Sequence, residues 1–214
     1  MTTVTAIIVN WNGAADTIAC LESLQQVSRP GCDLSVVITD NASSDGSFAA
    51  IGQALTQRGY RAEPLAVPSD LSGRVSRGVR HVPGDDGPDI TLVQTTDNLG
   101  FAGGNNVGVA MRAAAGRSDY FWFLNSDTLV GPGWLEHLRR VAYGPSPPGT
   151  AIGSVTPLSN VVVSDADGGY SFPFLLTSNT ELDRFGQIGN AVPAMVTTGS
   201  PRSGCSSRSR GGHP

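Results

Sequence analysis

The chain has 214 residues, a formal net charge of −4 and 39% hydrophobic residues, enough to bury one α/β core and too few for two complete domains. It has no polybasic block and no interleaving of aromatic with basic residues, so nucleic acid is not an expected partner. All 14 basic residues are Arg, which excludes a phosphate-loop lysine, a Schiff-base lysine and the lysine-containing serine hydrolase sets.

The start, MTTVTAIIVN, has no basic leader, and no later stretch reaches the roughly 20 apolar residues of a spanning helix, so a soluble, cytoplasmic chain is expected. TVTAIIVNWN is a β-branched run that ends on polar residues, as a buried parallel strand does where it emerges. ADTIACLESLQQV follows with Ile18, Leu21 and Leu24 at helical spacing, and Asp16 or Thr17 lies near the expected helix start. A second strand over 34–39 stops on Asp40 and Asn41, and an Asp45-led turn enters the helix SFAAIGQALTQRG. Residues 60–89, rich in Pro, Gly and Arg and without clear period, read as a long surface excursion whose arginines are solvated loop charge. A third strand over 90–95 leads through the glycine-rich NLGFAGGNN into an alanine-rich helix, and a fourth over 119–124 runs into Asn125, Ser126 and Asp127.

Alternating strands and helices predict an α/β fold, a mostly parallel sheet with helices on both faces. In such sheets ligands bind where loops leave the carboxyl ends of the strands. Asn10, Asp40, Asn98 and the Asn125–Asp127 tripeptide all fall there. In extended chain Asn125 and Asp127 aim at one point, and a carboxylate with an amide oxygen is a hard donor pair suited to Mg2+ or Mn2+. A strand-exit acid is also a common turn residue. Gly100, Gly103 and Gly104 permit either backbone approach to a diphosphate at a helix N-terminus or tight packing of helix on strand. Their spacing is not that of a dinucleotide-binding loop, so a dehydrogenase is disfavoured. Cys20, Cys32 and Cys205 are scattered and read as reduced thiols. His81, His137 and His213 form no constellation and read as surface residues.

PSPPG, after residue 145, marks a boundary; 146–198 reads as short extended pieces, a partial acceptor-side region. Residues 199–214, mostly Ser, Gly and Arg with no acid, have the composition of a disordered tail.

Four segments in order, VTAIIVNWNG, VVITDNASSDGS, NLGFAGGNNVGV and FLNSDTLVGPGWL, resemble the donor half of family 2 glycosyltransferases, in particular the rhamnosyltransferase-like branch. The resemblance implies the GT-A fold in residues 1–145, inverting transfer from a nucleotide-diphosphate sugar to a glycan or lipid-linked glycan acceptor, and a role in cell-wall or surface polysaccharide synthesis. It also implies Mg2+ or Mn2+ as cofactor, and at most peripheral association with the inner face of the membrane. By position, Asp127 matches the metal carboxylate of a DXD-type motif whose first member here is Asn125, with Ser126 between. Asp40 matches the acid on the nucleobase, and Val9, Asn10 and Trp11 match the loop along base and ribose. Asn98, Gly100 and Asn106 match the ribose and diphosphate segment.

The family continues with a segment that supplies a carboxylate general base, which an inverting displacement needs. Nothing after Gly199 matches it, so the chain reads as truncated or frame-shifted, the catalytic base is unknown, and a sugar-nucleotide-binding fragment without activity is the alternative. Asp165 and Asp167 are the nearest remaining candidates.

Overall fold

The computed structural model describes residues 1–116, 118–142, 152–157 and 194–198. Its first compact unit, Met1–Leu135, is built on a six-stranded sheet. β1 (Thr2–Asn10), β2 (Cys32–Asp40), β5 (Asp89–Thr95) and β6 (Tyr120–Asn125) are parallel, and β3 (Arg61–Pro64) and β4 (Val75–Val82) extend one side antiparallel, in the order β3-β4-β5-β2-β1-β6. The mostly parallel sheet expected from the sequence is therefore what forms.

Side chains alternate across β1 because successive residues point to opposite faces. Val4, Ala6 and Ile8 join one apolar cluster with α1 (Ala14–Gln25) and α2 (Ser47–Gln57), and Ile7 joins a second with Val107 and Met111 of α3 (Gly100–Ala115). Both faces are covered, which is why the parallel strands are apolar throughout rather than alternating.

α3 lies unusually close to the sheet. A Cβ added at Gly104 would stand 2.8 Å from Val9 Cγ1, and one at Gly108 would stand 2.7 Å from Ile7 Cγ2. Of the two readings of the glycine-rich turn, packing accounts for Gly104, and for Gly103 against its own Leu99 at 2.6 Å. Gly100 differs: its φ is +69° and nothing would meet a side chain there.

Residues 60–89 are the main departure from expectation. They are not a surface excursion but the 3-10 turn Ser69–Leu71 and two antiparallel strands. A register shift between Val75 and Arg77 puts the two ends of β4 out of phase, which hides its period-2 pattern. Three of the four arginines are engaged: Arg61 pairs with Glu63 at 2.7 Å, Arg80 with Asp89 at 2.5 Å, and Arg77 lies 4.1 Å above the Phe48 ring. His81, expected at the surface, is buried on β4 at 3% exposure.

Both helix starts lie where the sequence led one to look. α1 begins after Gly13, which has no side chain to cap it, with Asp16 in the first turn and the Thr17 hydroxyl turned to Asn10. α2 begins after Gly46, at φ +84°, with Asp45 accepting the Ser47 amide at 2.9 Å.

α4 (Trp134–Ala142) follows β6, and in the second unit, Glu136–Pro214, β7 (Ile152–Pro157) and β8 (Ala194–Thr198) pair antiparallel. Asp165, Asp167, Cys205, His213 and the expected tail lie outside the described residues. Among the described residues no helix is long and apolar enough to cross a membrane.

Candidate donor-binding site

The site is set by register. Asn10 is opposite Asp40, Asp40 is opposite Gln94, and Val9 is opposite Asn125, so the strand ends form one rim. β1 is followed by β2 on one side, and β6 returns on the other, which makes the gap between β1 and β6 the topological switch point where open α/β sheets bind ligands.

At the centre of the rim is a buried polar network. Asp40 has no exposed surface; Asn10 donates to its Oδ1 at 2.7 Å and Gln94 to its Oδ2 at 2.6 Å. Asn10, also fully buried, accepts from Thr17 at 2.8 Å through its Oδ1, which fixes which way its amide faces. Arg77 donates to Gln94 Oε1 at 2.8 Å, so an exposed guanidinium is joined through one amide to the buried carboxylate. Two amide donors satisfy a charge that would otherwise be costly to bury.

A second link ties β2 to the start of α3. Asn41 accepts the Leu99 amide at 2.9 Å and donates to Asn98 Oδ1 at 2.8 Å and to the Gly100 carbonyl at 3.2 Å. Asn98 in turn accepts the Gly100 amide at 2.9 Å. Two non-glycine residues here are left-handed, Asn12 at φ 52° and Ala42 at φ 56°. Asn12 is held by Ser43 and Ser44, at 2.9 Å each. Ala42 has no such local side-chain bond, and backbone strain of this kind gathers at functional sites.

The sequence-predicted residues fall into two groups. Asn10 and Asp40 are buried in the network, and Val9 packs under α3. Trp11, Asn98, Gly100, Asn106, Asn125 and Asp127 are exposed, with Ser126 half-buried. Asp127 and Asp40 leave strands separated only by β1, roughly 10 Å at ordinary strand spacing. The Asp127 carboxylate has no hydrogen-bond or ion-pair partner among the described residues. Behind it, the Cys20 thiol is raised to about 11 by burial and by the Asp127 charge.

Sequence reasoning missed Thr17, Ser43, Arg77, Gln94 and the exposed Phe101. Gln94 carried a signal, a polar residue inside an apolar strand. Arg77 carried none, since its strand was not recognised.

No group of three or more His, Cys, Asp or Glu gathers among the described residues, so a metal caged by protein alone is not formed by them. One free carboxylate and one exposed amide instead suit a hard cation that draws its other ligands from phosphate oxygens and water. Asn125 and Asp127 fit that description in donor type, although Ser126 and Asp127 form a turn rather than the extended chain from which their convergence was expected.

Polar residues gathered at the switch point of an α/β sheet mark the place where folds of this class bind ligands. A family model, Glycosyl transferase family 2, matches residues 5–147, and the chain belongs to that family. No curated protein matches the chain at a significant level. Among solved structures, the chain is similar to a mannosyltransferase from Pyrobaculum calidifontis in complex with GDP-Man and Mn2+, at 17% identity over 74% of this chain and 35% of that one, with a TM-score of 0.48. It is also similar to S. aureus TarS 1-349, at 14% identity over 75% of this chain and 42% of that one, with a TM-score of 0.43. The chain thus spans between about a third and two fifths of the length of these two proteins.

Proposed function

We propose that the chain is the donor-binding part of an inverting glycosyltransferase that takes its sugar from a nucleotide diphosphate. The observation that carries this reading is the shared rim, with the buried Asn10–Asp40–Gln94 network on one side of the switch point and an unpaired Asp127 on the other.

In this reading the base and ribose lie along Val9, Asn10 and Trp11, the last 60% exposed and free to offer its ring face. Asp40 reaches the base when the half-buried Gln94 amide swings off Oδ2. Asn98, Gly100 and Asn106 receive the ribose and diphosphate in the first turns of α3, where the helix dipole favours an anion. Gly100, left-handed with open space beside it, lets backbone approach the phosphates.

Asp127, with Asn125, holds Mg2+ or Mn2+. When bound, the cation stabilises negative charge on the departing diphosphate. The acceptor, a glycan or lipid-linked glycan, and the place in cell-wall or surface polysaccharide synthesis belong to the same proposal and rest on the motif resemblance.

The test is a titration of UDP, GDP and dTDP with Mn2+ and with EDTA, on the wild type and on Asp127→Ala. Metal-dependent binding that weakens about tenfold or more without the carboxylate is expected, since a charged ligand to the metal is worth over about 1.4 kcal/mol. Equal affinity in both proteins removes the metal assignment.

A further inference from the structure

One helix touches both halves of the rim. At its start, Thr17 of α1 donates to Asn10 at 2.8 Å and so reaches the Asp40 network. Three residues on, the Cys20 thiol lies 3.9 Å from the Asn125 carbonyl, the residue that opens the Asp127 turn. Three further on, Ser23 Oγ donates to the Cys20 carbonyl at 2.7 Å and accepts the Val130 amide at 3.0 Å. Just past the helix, the Ser28 amide donates to the Pro132 carbonyl at 2.8 Å. Thr17, Cys20 and Ser23 are spaced to lie along one helix face, with no slack between the two halves.

The segment from Asn125 to Pro132 is thus fastened to α1 at both ends. Its far end is also anchored by Val130, 5% exposed in the larger apolar cluster. Between the fastenings, the turn that carries Asp127 is closed by the Thr128 amide donating to the Asn125 carbonyl at 3.1 Å. The near end of the turn, Asn125, is placed by the β1–β6 register, and the far end, Val130, by Ser23 of α1, so the carboxylate between them depends on both. Ser23 is the joint, because its single hydroxyl both donates to the helix and accepts from the turn.

We infer that Ser23 is a positioning residue for the Asp127 turn, fixing the metal-binding carboxylate at its distance from the nucleotide network. The inference rests on the assignment of Asp127 to the metal. Ser23 touches neither nucleotide nor cation; it acts through the Val130 amide.

The experiment compares wild type, Ser23→Ala, Ser23→Thr and Asp127→Ala, measuring UDP and GDP affinity with Mn2+ and with EDTA, and Mn2+ alone by electron paramagnetic resonance. In Ser23→Ala the gain in nucleotide affinity brought by Mn2+ falls about fivefold, the equivalent of one net hydrogen bond, while affinity in EDTA stays within twofold. Mn2+ alone binds more weakly by a similar factor, and Ser23→Thr, which keeps the hydroxyl, restores both. Should Ser23→Ala fail to fold, the near-isosteric Ser23→Cys, a weaker acceptor, shows a smaller loss in the same sense. The inference is overturned if the alanine or cysteine variant keeps the full Mn2+ gain, or loses affinity equally with and without metal. If the wild type has no Mn2+ gain for Asp127→Ala to abolish, the assignment of Asp127 is what fails, and the role of Ser23 falls with it.

Discussion

The carboxyl rim and the cleft at the amino end of the strands handle polar groups in opposite ways. At the carboxyl rim, Asn10, Asp40 and Asn41 are buried and bonded from strand to strand. At the amino end, where α1 and α2 finish, a cleft of about 350 Å3 is lined by Arg29, Arg58, Tyr60, Asp85 and Asp86. Its charges are settled locally: Arg58 pairs with Glu22, Arg29 donates to the Asp86 carbonyl, and Asp85 accepts the Gly87 amide at 2.9 Å. Buried polar groups need fixed partners, and fixed partners make a rigid site; exposed charges are served by water and hold little in place. The difference marks the rim as built and the cleft as surface.

The comparison breaks most directly at Asp40. Asp40→Ala leaves the Asn10 and Gln94 amides facing each other without their shared acceptor, and unpaired buried donors are expensive. A loss of about 2–4 kcal/mol in urea unfolding is expected. Glu22→Ala, which removes the Arg58 ion pair at the amino end, costs less than about 1 kcal/mol because both side chains are well exposed. Similar losses for the two variants would erase the distinction between the ends.

Glycine substitutions sharpen it next, with opposite signs on the two faces. Gly108→Ala drives a methyl to 2.7 Å from Ile7 Cγ2, inside the contact of α3 with β1, and is expected to cost about 1–3 kcal/mol. Gly52, within α2, has only ordinary contacts near 3.9 Å, so Gly52→Ala gains about 0.5–1 kcal/mol from helix propensity. A stabilised Gly108→Ala would mean that α3 does not press on the sheet as described.

What was legible in the sequence follows from the same physics. Strands buried on both faces, such as β1 and β2, announce themselves as apolar runs, and their polar last residues announce the rim. β4 did not, since it is covered unevenly and bulged, and its alternation changes phase between Val75 and Arg77. With β4 unseen, Arg77 could not be joined to Gln94. Nor could composition say that Gly104 serves packing while Gly100 serves backbone conformation, because the distinction is the 2.8 Å approach of Val9. The exposed part of the site was named from motifs; the hydrogen bonds of Ser23 to Val130 and of Gln94 to Asp40 join residues far apart in the chain.

His81 tests the weakest part of the comparison, because it breaks the amino-end pattern. Paired with Ile90 at the start of β5, it is buried, and neither ring nitrogen has a partner among the described residues. Burial without a partner disfavours the charged ring and lowers its pKa from the ordinary 6.5. The unfolded chain therefore takes up a proton before the folded one does. Its full contribution to stability is present above about pH 6.5 and is lost as pH falls through the lowered folded-state value. Urea unfolding at pH 7.5 and 5.5 should show a fall in the wild type that is smaller in His81→Phe, whose ring has no charge to gain. An equal fall in both proteins would place the imidazole in contact with water, and His81 would then no longer break the amino-end pattern.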